Sequence, residues 1–394
     1  MSQTPILDLE QDPPRPLVRR WWTPLLLGAG IGLGGIVLLL AAALLGWYDS
    51  DHLSDLPPLN LWLFPPALYA AIFLHEAGHL AAAKLAGFSA GGICVGGLML
   101  IRSGERWAVR FDRRYLFGGL AVPLPSQRDF RRGRYAWVVA GGPLASILFS
   151  GICWLALRHS GAGTWDWIST LFLATAFTIL ASGIPYRFRG STTDALGLWQ
   201  LFRNPDWARR WMAVVALQAE NMRGVRPREW TSETFEQALE SVQSEQHYSA
   251  VQMLAAYRAA DLGDDQRALQ HLERALSVAS QPAVTRWCYL EASVASAKHR
   301  RNPAQARIWL ERASKVKTTV RRDDTAGIQA QIAMAEGDYA GALQHWTRYR
   351  GLLERLRLDT GTARFGKEKI SEAEVKCRIA LAAATPPAEP SAAL

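Results

Sequence analysis

The hydrophobic pattern divides the chain into two parts of different character. The first part holds four long apolar runs, which cover about residues 23–48, 61–87, 135–157 and 167–185. Each run is near the roughly 20 residues that a transmembrane helix needs. The first run is too long for the apolar core of a signal peptide. We therefore predict an intramembrane domain over residues 21–200 with about four transmembrane helices.

The second part, after about residue 200, mixes charged and apolar positions in the way typical of soluble helices. Ala268, Ala306 and Ala342 occupy equivalent positions in three segments, and a large apolar residue follows each alanine four positions later. The spacings of about 36 and 38 residues are close to the roughly 34 of tetratricopeptide repeats. We predict a soluble, all-helical, tetratricopeptide-like domain over residues 201–383, with an irregular helical bundle as the alternative. The tail at residues 384–394 has a composition typical of disorder.

The distribution of charge predicts the orientation of the membrane domain. Arginines are concentrated in the loops after the second and fourth apolar runs, whereas the loop after the first run is acidic. Because positive residues accumulate on the cytosolic side, both chain termini are expected there, with residues 1–20 as a cytosolic tail. The net charge of +9 then needs no nucleic-acid partner. A bacterial inner membrane suits this compact, multi-pass arrangement.

The loop between the second and third apolar runs has a strand pattern. Two β-type runs flank Ser103 and Gly104, which is a hairpin signal. Strands this close to a membrane need partners for their backbone polar groups. We predict a small β-hairpin region at the cytosolic face, near Gly97 to Arg110.

Candidate chemistry lies inside the second apolar run, in the stretch "FLHEAGHLAAAK". His75 and His79 are four residues apart, so on a helix they share one face and can bind one metal ion. Glu76 lies beside that face, where a general base would stand. A charged group at mid-membrane costs at least about 2.5–3.5 kcal/mol, so three polar residues on one turn require compensation. A zinc ion would supply it; the alternative is a set of hydrogen bonds to neighbouring helices, with Glu76 protonated.

A third metal ligand is expected, because catalytic zinc usually has three protein ligands and one open position. The four cysteines are scattered without a CxxC pair, which argues against a cysteine-based site. The acidic candidates on the cytosolic side are Glu105, Asp112, Asp129 and Asp194. Asp194 equally suits the start of a helix, so spacing alone leaves the choice open.

Three motifs together resemble the site-2 protease family of intramembrane zinc metallopeptidases. They are the His75-Glu76-x-x-His79 motif, "AGGPLAS" at residues 140–146, and "GIPYRFRGSTTDALG" at the end of the fourth run. The resemblance covers about residues 60–200. It implies that His75, His79 and Asp194 bind one zinc ion per chain and that Glu76 activates water. Residues expected to support the site or the substrate are Gly142, Pro143, Ser146, Ser182 and Pro185.

The chain departs from the family pattern near the site. Ser182 and Ser146 stand where the family often has asparagine, and Ala195 stands where the family has glycine after the aspartate. These departures bear on catalytic efficiency more than on metal binding. There is no PDZ-type insertion, so substrate selection is expected elsewhere in the chain.

The predicted function is zinc-dependent hydrolysis of membrane-protein substrates within or next to the bilayer. The predicted hairpin would assist by adding the unwound substrate segment as a further strand. An alternative is a zinc-binding scaffold without protease activity, which docks a protein partner through its helical domain. A zinc transporter is a weaker alternative, because it would need acidic or histidine residues along several spans.

Overall fold

The computed structural model describes residues 62–126, 131–159, 165–188, 191–243, 247–279, 282–316, 325–357 and 359–384. The predicted N-terminal tail, the first apolar run at residues 23–48 and the tail beyond Ala384 lie outside the described residues. The described chain divides into two compact units. One holds residues 62–102 and 109–219, and the other holds residues 103–108 and 220–384.

Three long helices form the frame of the first unit: α1 (Phe64–Leu85), α2 (Arg132–His159) and α3 (Trp165–Gly183). Prolines in the first turn of α1 suit a helix start, because the amide hydrogens there have no intrahelical partner. Within the described residues, only Arg132–Leu157 is long and apolar enough to cross a membrane, and the apolar stretch Trp167–Gly183 is shorter. The topology of four spans therefore stays a prediction.

A small antiparallel sheet lies between α1 and α2, as the strand pattern predicted. It contains β1 (Phe88–Val95), β2 (Leu98–Ser103), β3 (Arg106–Phe111) and β4 (Gly119–Pro125) in the order β3-β2-β1-β4. The predicted hairpin is the β2–β3 pair, but the sheet is larger than a single hairpin. Gly104 turns the hairpin with a φ of +63°, a value that glycine adopts without strain. Strand β4 forms one edge and pairs with β1, with Ala121 opposite Ile93.

Small residues bring α1 and α2 into close contact. A Cβ atom on Gly78 would lie 2.5 Å from the carbonyl oxygen of Gly141 and 2.4 Å from the Cβ of Ala145. The same is true in the other direction, because a Cβ on Gly141 would lie 2.6 Å from the Gly78 oxygen. Glycine and alanine at such crossings let two backbones approach closely. The approach places the histidine-bearing turn of α1 against α2.

A short turn leads from α3 to the next helices. Strands β5 (Arg187–Phe188) and β6 (Ser191–Thr192) pair, and α4 (Asp194–Arg203) and α5 (Pro205–Met222) follow. Thr193 caps α4, since its Oγ1 accepts from the Leu196 amide, and the same hydroxyl donates to the Ile184 carbonyl at 2.8 Å. Thr193 therefore takes the capping role that the sequence allowed for Asp194. The carboxylate of Asp194, on the first residue of α4, is left for another contact.

In the described part of the second unit the regular structure is helical, apart from residues 103–108 at the closed end of the β2–β3 hairpin. Its helices are α6 (Ser232–Leu239), α7 (Tyr248–Asp261), α8 (Asp265–Val278), α9 (Pro282–Lys298), α10 (Pro303–Lys315), α11 (Ala326–Glu336), α12 (Tyr339–Arg355) and α13 (Gly361–Ala384). Two large side chains, Trp230 and Trp309, are almost completely buried in it.

Six of these helices form three successive helical hairpins that share one turn design. A residue with a left-handed backbone precedes an aspartate or asparagine, whose side chain accepts from an amide in the first turn of the next helix. The three pairs are Gly263-Asp264, Arg301-Asn302 and Gly337-Asp338. Such caps satisfy amide hydrogens that the helix leaves unpaired. The repeat seen in the sequence thus corresponds to repeated helical hairpins, while the tetratricopeptide-like classification stays a prediction.

Candidate metal centre

Three potential ligands meet in the first unit. The His75 Nε2 lies 3.0 Å from the Asp194 Oδ2, and the His79 Nε2 lies 3.5 Å from the Asp194 Oδ1. One ligand atom from each residue lies within 4.8 Å of the others. Both histidines are buried and Asp194 is partly buried. The helical spacing of four brings the two imidazoles together. Asp194 is 119 residues beyond His75 in the sequence, and the turn capped by Thr193 places it beside them.

The outer nitrogen of each imidazole is held by α2. The His75 Nδ1 lies 2.9 Å from the Ser146 Oγ, and the His79 Nδ1 lies 2.9 Å from the Val138 carbonyl oxygen. Because metal binding through Nε2 places the ring proton on Nδ1, each Nδ1–H then donates to one of these oxygens. The two contacts fix the orientation of both rings, so that both Nε2 atoms point toward Asp194.

Gly142 supplies the space in which the two imidazoles meet. A Cβ on this residue would lie 2.3 Å from the His79 Nε2 and 2.7 Å from the His75 Nε2. Those are the two atoms expected to bind the metal, so any side chain here would occupy the ligand position. The Gly142 amide also lies 3.2 Å from the His79 Nδ1.

Glu76 lies against the edge strand β4. A Cβ on Gly119 would lie 2.4 Å from the Glu76 Oε1, so glycine is required to make room for the carboxylate. The backbone N–H of Ala121 donates a hydrogen bond to the same carboxylate. Glu76 is 8% exposed, which leaves it in a low-dielectric setting beside the two histidines. The sheet thus holds the proposed base, while α2 holds the ligands.

The donor set fits zinc. Two imidazole nitrogens and one carboxylate oxygen are usual for a catalytic zinc site with an open fourth position. Burial opposes ionisation of Asp194, but hydrogen bonds from His75 and His79 outweigh it and hold the pKa of this carboxyl below its usual value. Asp194 is therefore in the anionic form that a metal ligand needs.

The other predicted residues divide between the site and its surroundings. Ser146 is completely buried and contacts His75, whereas the Ser182 hydroxyl donates to the Ile179 carbonyl of its own helix at 3.3 Å. Pro143 lies within α2, and Pro185 is an exposed residue after α3. Among the described residues, His75, His79 and Asp194 form the one such group of possible ligands. Glu105 and Asp112 are not part of it, and Asp129 lies outside the described residues.

Sequence reasoning missed several contributors to the site. They act through backbone atoms or through a missing side chain, and they are Gly78, Gly119, Ala121, Val138 and Gly141. Every residue has a backbone carbonyl oxygen, so the residue type does not indicate which carbonyl contacts the site. The glycine pair Gly141-Gly142 was a usable signal, because adjacent glycines in a helix are costly and imply a requirement for space.

A family comparison identifies the kind of protein. The model of peptidase family M50 matches residues 64–323, about two thirds of the chain, and includes all the proposed ligands. The chain belongs to peptidase family M50, the site-2 protease family. M50 peptidases are membrane-associated zinc metallopeptidases, and the match extends from the metal centre into the helical unit. Comparisons with curated proteins and with solved structures give no match.

Proposed function

We propose that this M50 peptidase is a zinc-dependent intramembrane protease that hydrolyses peptide bonds of membrane-protein substrates. The observation that carries the proposal is the convergence of His75, His79 and Asp194 on one point, with Glu76 on the same helical turn. A purely structural zinc site has no need of a general base. The chain would be a multi-pass protein of a bacterial inner membrane, with both termini in the cytosol.

Each residue has a distinct task in the proposed reaction. A bound zinc ion would activate water and polarise the scissile carbonyl. Glu76 would accept the proton of the attacking water and pass it to the leaving amine. Ala121 orients the Glu76 carboxylate through its N–H, while Ser146 and the Val138 carbonyl keep the two imidazoles in the ligand geometry.

The edge strand β4 is the proposed platform for the substrate. A helical substrate must unwind before hydrolysis, and an unwound segment can pair with an exposed sheet edge. Our sequence-based hypothesis assigned this role to the β2–β3 hairpin. The contacts of Gly119 and Ala121 with Glu76 favour β4, because a segment paired there would lie beside the base. Strand β4 already contains Pro123 and Pro125, so the test is Ala121→Pro, which removes the backbone N–H beside Glu76. Cleavage left intact by Ala121→Pro would contradict this assignment.

The alternative function is a zinc-binding scaffold without protease activity. Its motivation is the set of departures at Ser146, Ser182 and Ala195, together with the row of helical hairpins, which would offer a docking surface for a protein partner. The Ser146 hydroxyl contacts the His75 imidazole. The Ser182 hydroxyl donates to a carbonyl of its own helix. Neither contact disturbs Glu76, so the protease is the better supported function.

The deciding experiment separates metal binding from hydrolysis. We expect Glu76→Gln to retain zinc and to lose cleavage of a reconstituted membrane substrate by about 10²–10⁴-fold, the usual contribution of a general base. We expect Asp194→Ala to lose zinc as well as cleavage. The matched control is Asp206→Ala, an exposed aspartate in the first turn of α5, which should change neither. Cleavage retained by Glu76→Gln would reject the protease mechanism, and full zinc retention by Asp194→Ala would remove Asp194 from the ligand set.

A further inference from the structure

Helix α4 has an apolar face that is exposed in the part of the chain that the structure describes. Leu201 is buried against Ala136 of α2 and Ala208 of α5, and Leu198 packs on the same cluster. Trp199 and Phe202 point away from it and are 57% and 59% exposed. Trp199 and Phe202 are three residues apart, so they share one side of the helix and form an exposed apolar patch, a feature that marks interaction sites.

Cations accompany both aromatic rings. The Arg203 guanidinium lies 4.9 Å from the centre of the Trp199 ring, and the Arg132 guanidinium lies 5.9 Å from the centre of the Phe202 ring. Aromatic rings with arginine beside them are typical of the membrane–water interface, where the ring meets the acyl boundary and the cation meets phosphate.

A cleft lies beside the same turns of α2 that α4 packs against. The cleft has a volume of about 390 Å³ and is lined by Leu85, Ala86, Gly87, Gly133, Arg134 and Trp137. It lies between the end of α1 and the first turns of α2, where Trp137 is 49% exposed. Since α2 begins at Arg132 and is apolar enough to cross a membrane, its first turns mark the point at which it would enter the bilayer.

The segments around the α4 patch and the cleft are positively charged, which favours an anionic lipid surface. Residues 84–87, 131–137 and 199–206 carry five cations and one carboxylate, Asp206. The cations are Lys84, Arg131, Arg132, Arg134 and Arg203. Basic residues beside a membrane surface are attracted to anionic headgroups, and the attraction increases with their number. A protein partner would need an acidic surface that also accepts two aromatic anchors on a helix beside a membrane entry point.

We propose that α4 is an interfacial helix, with Trp199 and Phe202 inserted at the headgroup level of an anionic leaflet and Arg203 and Arg132 on the lipid phosphates. This inference rests on the membrane placement in the proposed function. It has a consequence for the metal centre, because α4 begins at Asp194. Lipid contact at one end of this helix would hold the third ligand at the other end.

The test measures immersion depth and needs no cleavage. Single cysteines replace Trp199 or Phe202, each is labelled with a nitroxide, and the full chain is reconstituted in phosphatidylcholine vesicles with or without phosphatidylglycerol. The four native cysteines are buried, and the unsubstituted chain measures any background label. Leu148→Cys, at an exposed position of α2, serves as the deep reference, and Ile379→Cys on α13 serves as the aqueous reference.

We expect the ratio of oxygen to nickel-chelate accessibility at positions 199 and 202 to be several-fold above that at position 379 and below that at position 148. Phosphatidylglycerol should increase the immersion, and Arg132→Gln with Arg203→Gln should abolish that increase. Labels at 199 and 202 that behave like the label at 379, or that are shielded from both reagents by protein, would overturn the inference. A water-exposed label at 148 would instead reject the membrane placement. Loss of cleavage alone, with unchanged immersion, would bear only on the protease function.

Discussion

The metal-centre unit and the helical unit use glycine for opposite reasons. At Gly142 the backbone is helical, and the space that a side chain would fill is already taken by the His79 Nε2. At Gly263 and Gly337 the space is open for at least 4 Å, but the φ of +82° is one that other residues rarely adopt. The first kind of glycine admits functional atoms. The second kind only turns the chain between two helices.

Histidine shows the same contrast. His75 and His79 present their Nε2 atoms to one shared point and are anchored through Nδ1. His271 in the helical unit is 5% exposed and donates from Nδ1 to the Gln252 Oε1 at 2.8 Å. Convergence of polar atoms therefore distinguishes the candidate metal centre from the helical unit, where His271 is an isolated and satisfied polar group.

The largest effect is expected from one carbon atom added at the candidate metal centre. Gly142→Ala would place a Cβ 2.3 Å from the His79 Nε2, so the imidazoles must move apart. We expect loss of bound zinc and a fall in cleavage of at least about 100-fold, since a displacement of about 1 Å can cost that much. Zinc content by mass spectrometry and substrate cleavage are the two measurements.

Gly151 offers a matched control for that change. It lies in the same helix, and nothing lies within 4 Å of the Cβ that alanine would add there. Gly151→Ala should retain zinc and activity, with slightly higher helix stability. Equal zinc content in Gly142→Ala and the wild-type protein would mean that the two imidazoles do not meet at this point.

The sequence predicted those site residues that local helix geometry places, but not those that tertiary packing places. The pair His75 and His79 was predictable, because helical periodicity alone puts residues four apart on one face. Asp194 was not, because its approach depends on the turn capped by Thr193 and on the packing of α4 against α2. Spacing left Asp194 open between a metal ligand and a helix N-cap, and only the family resemblance selected the ligand role.

The same holds for the fold: local elements were predictable from the sequence, and long-range pairings were not. Alternating apolar positions around Gly104 predicted the hairpin, but the pairing of β1 with β4 joins segments about 30 residues apart, and local pattern does not encode that pairing. The phase of Ala268, Ala306 and Ala342 predicted repeated helices. It did not reveal the shared turn, because Arg301 stands where the other two turns have glycine.

A smaller effect is expected from pH in the helical unit. Burial, reinforced by Arg274 and Arg267, lowers the pKa of His271 to about 4, whereas an unfolded histidine titrates near 6.5. Between these values the unfolded state binds more protons, so stability falls as the pH falls from about 6.5 to about 4. We expect α8 to lose about 2 kcal/mol between about pH 7 and about pH 5.

Hydrogen exchange of peptides from residues 265–278, corrected for intrinsic rates, measures this loss. His271→Gln removes the titrating group and keeps a donor for Gln252, so its protection should vary less with pH. A wild-type protein whose α8 protection stays constant over this range would show that His271 is not buried in its neutral form.

The smallest effect is expected at the turn between α9 and α10, where Arg301 replaces the glycine of the other two turns. Arg301 has a φ of +51°, and a left-handed backbone costs a residue with a side chain about 1–2 kcal/mol. Arg301→Gly removes that cost but makes the unfolded chain more flexible, so we expect a net gain of about 0.5 kcal/mol. Arg301→Ala keeps the strained backbone and should give no gain.

Gly337→Ala is the reciprocal change: it should lower the free energy of unfolding by about 1 kcal/mol, although the added Cβ contacts nothing. Chemical denaturation of the full chain, followed by exchange in α9 and α10, measures all three, and a gain in Arg301→Ala equal to that in Arg301→Gly would assign the effect to the arginine side chain instead of the turn.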